Sequence, residues 1–523
     1  MCYNTLGAGW EERIFATCES TQNANFKTFC LHKYKFYRHI QGVFMIFALQ
    51  GVIVLLAILI AVILIRTALF RPKKQEAIDA PDCEFDREAA LSSLRALLSC
   101  RTISRYTREE EDDAEFERLV GLISSLFPHL AEACPLLQLD GRALLYHWKG
   151  KNEGAATVLM SHYDVVAVGD AEWKHPPFDA VIEDGILYAR GVLDNKSTLN
   201  ASLFAINHLI AEGFVPEHDV YLALSGSEEV SGVGAPSIVD HFHANGIEVA
   251  LVLDEGGAVV EGAFPGVTKP TALIGIAEKG MIDLEYRVRS SGGHAAAPKP
   301  RNPVATLATA CCAVLAKPPK MHLSRPVSEM FDTLGRHSSF FYRMIFANLW
   351  FFAPILDHLA KKQGGDMNAM LRTTVAFTRM KGSDANNVLP HEASMVSNIR
   401  LNPADTVDGT IAYLRRVIDD PKLELRPILG TNPSRISSTD CEGYDRVKAA
   451  VRATWPDAIV TPYLMVQCSD SRHWGLLSDR VYRFSAMDLT DGERRTIHGK
   501  DEHVRVEAIG RTVEFYLRLL KKS

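Results

Sequence analysis

The hydrophobic pattern separates one long apolar run from a series of shorter runs that alternate with helical segments. The stretch from Val43 to Ile65 is almost free of polar residues. As a helix that rises about 1.5 Å per residue, it is long enough to cross a hydrocarbon layer of about 30 Å. We therefore predict a transmembrane helix over residues 43–65. The tail before it (1–42) shows no periodicity, so we expect little order there, and a charged, proline-bearing linker follows at 66–85.

The apolar run has two alternative interpretations. A cleaved signal peptide has a shorter apolar region that ends at small residues, which this run lacks, so an anchor is favoured. Met45 would serve as the true start if the preceding segment were not translated. Basic residues flank the run on both sides, so the positive-inside rule gives a nearly balanced count. Since large domains translocate largely regardless of charge, we expect the following domain to be luminal or extracellular.

Short β-rich runs alternate with helical segments from about residue 86 to 277, a pattern typical of a parallel α/β sheet. After Gly280 the pattern changes to alternating apolar and charged residues, which predicts half-exposed strands. The α/β character resumes at about residue 403. We predict one larger α/β domain with a mainly parallel sheet, formed by residues 86–277 and 403–523. A smaller α+β domain, residues 278–402, interrupts it.

Composition excludes two classes of protein. The chain of 523 residues has a formal net charge of -6 and no clustered basic face, so no nucleic-acid partner is expected. Its ten cysteines include no CxxC pair and no regular spacing, which argues against both a zinc ribbon and a disulfide framework. The length instead indicates two or more folded domains.

Acidic and imidazole side chains follow the apolar runs of the larger domain. Each alone would more often be a helix cap, a solvated loop residue or a structural histidine. In parallel α/β sheets, however, ligands gather where the strands end. Their joint occurrence therefore favours a metal site along one edge of the sheet, and the residues are His162, Asp164, Asp194, Glu228, Glu229 and Asp254.

The residue types suit a pair of zinc ions. Two divalent ions held about 3.5–4 Å apart need one bridging carboxylate and further ligands on each ion. Zinc binds imidazole and carboxylate groups. Asp194 lies centrally in the series and is the predicted bridge. His162 and Asp254 would complete one metal site, and Glu229 with the distant His498 would complete the other.

Three further residues fit roles beside such a metal pair. Asp164 lies two residues beyond His162 and would accept its ring N–H. Glu228, next to the predicted ligand Glu229, is the expected general base, which takes a proton from an activated water and passes it to the leaving amine. His294, flanked by glycines and alanines in the smaller domain, has room to face a cleft and stabilise an oxyanion.

The ordered set of motifs resembles the co-catalytic di-zinc exopeptidases, a family that includes aminoacylase, glutamate carboxypeptidase and vacuolar carboxypeptidase S. The resemblance covers nearly everything from about residue 86 to the end. Within the family, the motifs NLWFF, LRTT and NVLP of the smaller domain are similar to those of the N-fatty-acyl-amino-acid synthase/hydrolase subgroup. The motifs shared with the whole family are SHYDVV, ARGVLD, SEE, LDEGG, SGGH and IHG.

This resemblance implies zinc ligands at the same five positions and catalytic roles for Asp164 and Glu228. It also implies that the smaller domain is a lid or dimerisation domain, whose histidine can complete the site of a partner in a homodimer. Asn387 and Arg400 match positions that would hold the carboxylate of the substrate, since a guanidinium can bind both of its oxygens. Arg400 has an ordinary surface position on a strand as its alternative.

Asn195 departs from the family pattern, because relatives commonly carry a second aspartate at this position. It also begins a glycosylation acceptor, Asn195-Lys196-Ser197, beside the predicted metals. A glycan there would obstruct the site. Either the domain does not enter a glycosylating lumen, or burial protects Asn195.

The sequence therefore predicts a membrane-anchored hydrolase with two zinc ions per subunit, which cleaves the amide bond of N-acyl or N-fatty-acyl amino acids and for which reversal to synthesis stays open. The aromatic run within residues 338–359 favours a long acyl chain, because such a chain needs an apolar channel. The first alternative is a carboxypeptidase or dipeptidase that acts on short peptides. The second is a non-catalytic anchored binding protein that keeps the hydrolase fold.

Overall fold

The computed structural model describes residues 24–73, 83–298 and 301–522. The chain divides into two compact units, Met1–Arg71 and Pro72–Ser523. Residues 1–23 of the predicted tail and 74–82 of the predicted linker lie outside the described residues.

The N-terminal unit contains one long helix, α1 (Ala24–Leu69). Within the described residues, its Lys27–Leu69 segment is the one helix that is long and apolar enough to cross a membrane. The helix begins well before residue 43, so the described part of the tail is helical and the expectation of little order there was wrong. Once an apolar segment has nucleated a helix, each further residue adds a hydrogen bond at little cost, which extends the helix into the polar residues before it.

The larger unit is built from short strands that alternate with helices. Its helices are α2 (Arg87–Leu98), α3 (Asp113–Leu126), α4 (Pro128–Ala133), α5 (Lys196–Ala211), α6 (Gly234–Ala244), α7 (Pro303–Ala316), α8 (Arg325–His337), α9 (Phe340–Ala347), α10 (Leu349–Gln363), α11 (Gly365–Leu371), α12 (Val407–Ile418), α13 (Glu442–Thr454), α14 (Asp491–Arg494) and α15 (Val506–Leu520). Its strands are β1 (Leu136–Leu139), β2 (Ala143–Trp148), β3 (Ala156–His162), β4 (Val181–Glu183), β5 (Ile186–Tyr188), β6 (Val220–Ser225), β7 (Val249–Val260), β8 (Thr271–Glu278), β9 (Gly280–Arg289), β10 (Gly293–His294), β11 (Thr374–Lys381), β12 (Val388–Leu389), β13 (Glu392–Leu401), β14 (Leu423–Thr431), β15 (Ile459–Met465), β16 (Val481–Leu489) and β17 (His503–Arg505).

The large sheet has the strand order β1-β2-β6-β3-β7-β16-β8-β15. Its central pairs, β6–β3, β3–β7 and β7–β16, are parallel, as is β8–β15 at one edge. The predicted α/β fold with a mainly parallel sheet is therefore confirmed. Alternate side chains of the strands face opposite layers. One face packs against α2 to α5, α13 and α15, and the other packs against α6.

A smaller antiparallel sheet has the order β11-β13-β9-β14 and is covered by α7 and α12. Its extent differs from the predicted boundaries of 278–402. Strand β9 pairs with β13 on one edge and with β14 on the other, so the small sheet continues to Thr431. Conversely, α8 lies within the predicted insert and packs against β15 of the large sheet.

Candidate metal centre

The site lies where two neighbouring strands of the large sheet end, beside the middle of a third. Strand β3 ends at His162, which is in register with Ser225 at the end of β6. Glu228 and Glu229 follow β6 in a single 3₁₀ turn. Strand β7 carries Glu255 on the other side of β3. The parallel pairing thus brings side chains from distant parts of the sequence to one edge, as the sequence predicted.

Two imidazoles face opposite oxygens of one carboxylate. His162 Nε2 lies 2.9 Å from Asp194 Oδ1 and 3.4 Å from Glu255 Oε2. His498 Nε2 lies 3.0 Å from Asp194 Oδ2 and 3.2 Å from Glu229 Oε1. Asp194 therefore lies between two groups of donors, which is the arrangement that a bridging ligand requires.

The donor set fits a pair of zinc ions. A tetrahedral zinc ion with bonds of about 2.0–2.2 Å has neighbouring ligand atoms about 3.3–3.6 Å apart. The imidazole nitrogens and carboxylate oxygens lie 2.9–3.4 Å apart, so movements of a few tenths of an ångström would bring them to ligand positions. The residues present thus offer one imidazole and one terminal carboxylate on each side of Asp194.

Glu255 occupies the place that the sequence interpretation gave to Asp254. Among the described residues, the ligand atoms that converge within 4.8 Å of one another form two groups, His162 with Asp194 and Glu229, and His162 with Glu228 and Glu255. Asp254 belongs to neither. Its Oδ2 instead accepts a hydrogen bond of 2.9 Å from the backbone N–H of Ser471. Neighbouring residues of a strand point to opposite faces, so only one of the two acids can reach the site. We correct the predicted ligand accordingly.

Asp164 positions both His162 and the two glutamates. Its carboxylate accepts the backbone N–H groups of Glu228 and Glu229, each at 3.1 Å. His162 Nδ1 lies 3.0 Å from the backbone oxygen of Asp164 and 3.4 Å from its Oδ1. Because Nδ1 donates to these acceptors, the Nε2 lone pair of the neutral ring is left for the metal side.

A buried ion pair that the sequence interpretation missed supports the loop before α5. Glu502 accepts from Arg190 Nη1 at 2.7 Å and from the backbone N–H groups of Gly191 and Leu193. Arg190 also donates to the backbone oxygen of Gly499 at 2.9 Å. One pair therefore fixes the loop that carries Asp194 and the turn that carries His498. His498 has a left-handed backbone φ of 59°, which this turn imposes.

The carboxylates and imidazoles shift each other's pKa. Burial alone would raise the pKa of Asp194, yet hydrogen bonds from His162 and His498 hold it well below its ordinary value. Hydrogen bonds to Asp194 and Glu229 raise the pKa of His498 to about 10. Burial, followed by the charge of Asp194, raises the pKa of Glu255 to about 8. Such a concentration of buried negative charge is the environment that a cation stabilises.

Glu228, the predicted general base, lies close to the proposed metal ligands. One of its carboxylate oxygens is within 4.8 Å of ligand atoms of His162 and Glu255. Burial, together with the charges of Asp470, Glu255 and Glu229, raises the pKa of Glu228 well above its ordinary value. A carboxylate with a raised pKa in this position is a stronger base than a solvated one.

The predicted residues of the smaller domain fall into two places. His294 lies in the ribbon formed by β10 and β12, and Asn387 directly precedes β12, where its backbone oxygen accepts from Ala295 N–H at 2.9 Å. His294 is exposed and does not belong to the converging groups of described residues. Arg400 is half-buried near the end of β13, where it donates to Asn398 Oδ1 and contacts Cys468 Sγ at 3.2 Å.

Burial excludes a glycan at the acceptor asparagine of the folded chain. Asn195 is 0% exposed. Its amide donates to Glu255 Oε2 at 2.8 Å and its oxygen accepts from Ser161 at 3.2 Å. Asn195 therefore orients a carboxylate of the site, and its presence does not argue against a luminal domain.

Comparison with known proteins places this site in a family. Residues 158–522 match the model of peptidase family M20/M25/M40. The chain is 32% identical over 431 residues to the probable carboxypeptidase S-like 2 of Dictyostelium discoideum, covering 81% of this chain and 83% of that protein. It is also 32% identical over 487 residues to the N-fatty-acyl-amino acid synthase/hydrolase PM20D1 of Xenopus tropicalis, covering 91% of this chain and 94% of that protein.

A solved structure supports the same fold. The M20 family metallo-carboxypeptidase Sso-CP2 of Sulfolobus solfataricus superposes with a TM-score of 0.62 at 18% identity, covering 83% of this chain and 98% of that one. The resemblance inferred from the motifs is thereby confirmed. The chain belongs to peptidase family M20/M25/M40 and is a metallohydrolase that acts on amide or peptide bonds.

Proposed function

We propose that the protein is a membrane-anchored di-zinc hydrolase that cleaves the amide bond of N-acyl amino acids, including those with a fatty acyl chain. The observation that carries the proposal is the position of Asp194, whose two oxygens each face a different imidazole. The similarity to PM20D1 over 91% of the chain supports the acyl substrate. Reversal to synthesis is part of the proposal, because the same site would lower the barrier in both directions.

His162 and Glu255 would hold one zinc ion, and Glu229 and His498 the other, with Asp194 between them. Bound zinc supplies Lewis-acid chemistry, which polarises a carbonyl and lowers the pKa of water. Glu228 takes the proton of the attacking water and delivers it to the nitrogen of the leaving amino acid. Its raised pKa suits both transfers.

The smaller domain would bind the polar ends of the substrate. Arg400 and Asn387 are proposed to hold the carboxylate, and His294 the developing oxyanion. The exposure of His294, outside the converging groups, supports a role in the site of a partner subunit within a homodimer. The apolar length of α1 supports a single-pass anchor with a luminal or extracellular hydrolase unit.

Substrate preference is tested by comparing the kcat/KM of an N-oleoyl amino acid with that of a blocked dipeptide. We expect at least a tenfold preference for the acyl substrate. The similarity to the carboxypeptidase S-like protein favours the peptide alternative, and a clear preference for the dipeptide would replace our proposal with it.

A non-catalytic binding protein is the remaining alternative. Glu228→Gln should leave zinc content unchanged and lower kcat by about 10²–10⁴-fold, since it removes the base and keeps the ligands. Zinc content is measured by mass spectrometry of the metal. If the wild type binds zinc and turns over none of a broad panel of acyl amino acids and peptides, the binding protein is the correct reading.

A further inference from the structure

Two consecutive helices, α9 and α10, present apolar side chains to solvent. We name these side chains the aromatic surface. Its members, with their exposed fractions, are Phe340 (59%), Phe341 (62%), Trp350 (57%), Phe351 (40%), Ile355 (52%) and Leu359 (46%). A contiguous exposed surface of this kind marks an interaction site rather than a part of the core.

The surface follows from the helical spacing of α10. Phe351, Ile355 and Leu359 recur at intervals of four residues and therefore lie on one face. A helix of a globular domain normally turns such a stripe towards the core. In α10 the stripe is exposed, and Ala360 is the one buried residue of the helix. The fold of the larger unit thus leaves the apolar face of α10 uncovered.

The charges around the aromatic surface are opposite in sign to those of the whole chain. Residues 340–372 contain four basic side chains, of which Arg372 is buried, and two acidic ones, whereas the whole chain has a net charge of -6. Lys361 and Lys362 end the helix, as basic residues do at the edge of an interfacial helix. Asp357 is paired with both Lys361 and Arg372, so its negative charge is compensated.

We propose that the aromatic surface docks on the phospholipid bilayer that anchors α1, with Trp350, Phe351 and Ile355 at the acyl boundary and the lysines at the headgroup phosphates. This inference rests on the proposed membrane anchor. Aromatic and basic side chains are the types that partition to the interface of a bilayer.

Contacts lead from the aromatic surface towards the proposed substrate carboxylate site. Asp357 of α10 pairs with the buried Arg372. The backbone oxygen of Arg372 accepts from Lys279 Nζ at 2.8 Å. The backbone oxygen of Lys279 lies 3.4 Å from Cys468 Sγ, which in turn contacts Arg400. Through these interior contacts, α10 is connected to the residue proposed to bind the substrate carboxylate.

The test uses residues 83–523 without α1, so that binding reports on the aromatic surface alone. All four hydrophobic cores found among the described residues lie between residues 83 and 520, so this unit has the interior needed to fold by itself. Co-sedimentation with phosphatidylcholine vesicles measures the partition coefficient. We expect binding, and at least a tenfold loss for the triple variant Trp350→Ser, Phe351→Ser, Ile355→Ser.

The matched control is the triple variant Leu137→Ser, Val215→Ser, Ile428→Ser. These residues are 40%, 40% and 55% exposed elsewhere on the unit, so a general loss of apolar surface would affect both triple variants equally. Circular dichroism confirms that each variant is folded. If a triple variant does not fold, the single change Phe351→Ser is used in its place.

The inference is overturned if the wild-type unit stays in the supernatant or if both triple variants bind equally well. It is also overturned if sedimentation velocity shows a dimer that the first triple variant dissociates while vesicles bind nothing, since the surface would then contact a second copy. Vesicle binding is independent of turnover. A protein that binds vesicles and hydrolyses no acyl amino acid would therefore refute the proposed substrate and leave the docking surface in place.

Discussion

Two neighbouring acids on β7 differ in whether the side chain points towards the site. Glu255 Oε2 lies 3.4 Å from His162 Nε2, whereas Asp254 accepts a backbone N–H from Ser471. Both acids follow the same apolar run, so the sequence alone does not tell which one faces the site. The sequence does show the Gly256-Gly257 pair after these acids, and paired glycines mark a place where another backbone comes close. In the structure, a Cβ at Gly257 would lie 1.7 Å from the backbone oxygen of Leu273. Such a close approach indicates that the strand is distorted next to Glu255.

This difference predicts distinct effects of two isosteric changes. Glu255→Gln should lower the zinc content from about two ions to about one per chain, because it weakens a ligand on the His162 side. Asp254→Asn should keep both ions and lower the melting temperature, because it weakens a buried hydrogen bond. Metal analysis after dialysis and thermal unfolding measure the two effects. Equal loss of zinc in both variants would contradict the assignment of Glu255.

The pKa of His498 predicts how zinc binding depends on pH. In the metal-free protein, the carboxylates of Asp194 and Glu229 raise this pKa from 6.5 to about 10. The stabilisation that the protonated ring provides is therefore complete below pH 6.5 and is lost as the pH rises through about 10. Zinc must displace this proton, so its affinity should rise by at least about tenfold per pH unit between pH 7 and 9, and more steeply below pH 8, where Glu255 also carries a proton.

Competition with a chelator at each pH measures this affinity. Replacing His498 by Ala removes the titrating group and should make the slope shallower while lowering the affinity. A slope that is the same in the variant and the wild type would show that other groups release the proton.

At the scale of elements, the buried pair of Arg190 and Glu502 links the loop before α5 to the segment before β17. Glu502→Gln leaves Arg190 buried without a full counter-charge, a change that costs about 3–5 kcal/mol in other proteins. We expect a lower melting temperature and weaker zinc binding, because the same pair fixes the segments that carry Asp194 and His498. Thermal unfolding with and without zinc checks both effects.

A surface pair provides the control for this prediction. Glu507→Gln removes the exposed ion pair with Arg511, which lies at 3.0 Å on α15. Exposed ion pairs contribute little to the free energy of unfolding, so the melting temperature should change by no more than about 1–2 °C. A similar effect of the two variants would mean that Glu502 has no special role in holding the loop.

The sequence predicted those elements that depend on local patterns. The alternation of apolar runs with helices gave the mainly parallel sheet, and the position of the acids after those runs gave the edge at which they meet. It did not predict that α1 extends back to Ala24, or that β14 joins the small sheet. Strands β9 and β14 are far apart in the sequence, and the residues of one strand do not indicate which other strand it pairs with.

At the scale of the whole molecule, the concentration of buried carboxylates makes the folded chain depend on its metal. Asp194, Glu228, Glu229 and Glu255 lie close together, and their mutual repulsion is relieved by bound cations. Removal of zinc with a chelator should lower the melting temperature, and stoichiometric zinc should restore it, since a ligand that binds only the folded state stabilises it by mass action. Differential scanning calorimetry measures both steps, and magnesium serves as the control ion.

The candidate site was predictable in composition and less so in geometry. His162, Asp194, Glu229 and His498 came from residue type and position, whereas Glu255 and the Arg190–Glu502 pair needed coordinates. Charge and hydropathy identified the aromatic run, but only the exposure of α10 shows that this run lies outside the core. These features depend on contacts between residues far apart in the sequence, which the hydrophobic pattern along the chain does not show.

The dependence of Asp194 on Glu502 has a consequence for biosynthesis. Glu502, whose carboxylate fixes the loop of Asp194, and His498, whose imidazole faces Asp194, both follow the strands of the large sheet along the chain. A nascent polypeptide therefore has the large sheet before it has a complete cation site. A protein shortened to end before His498 would keep those strands and lack both side chains, so we expect it to retain less metal than the unshortened protein.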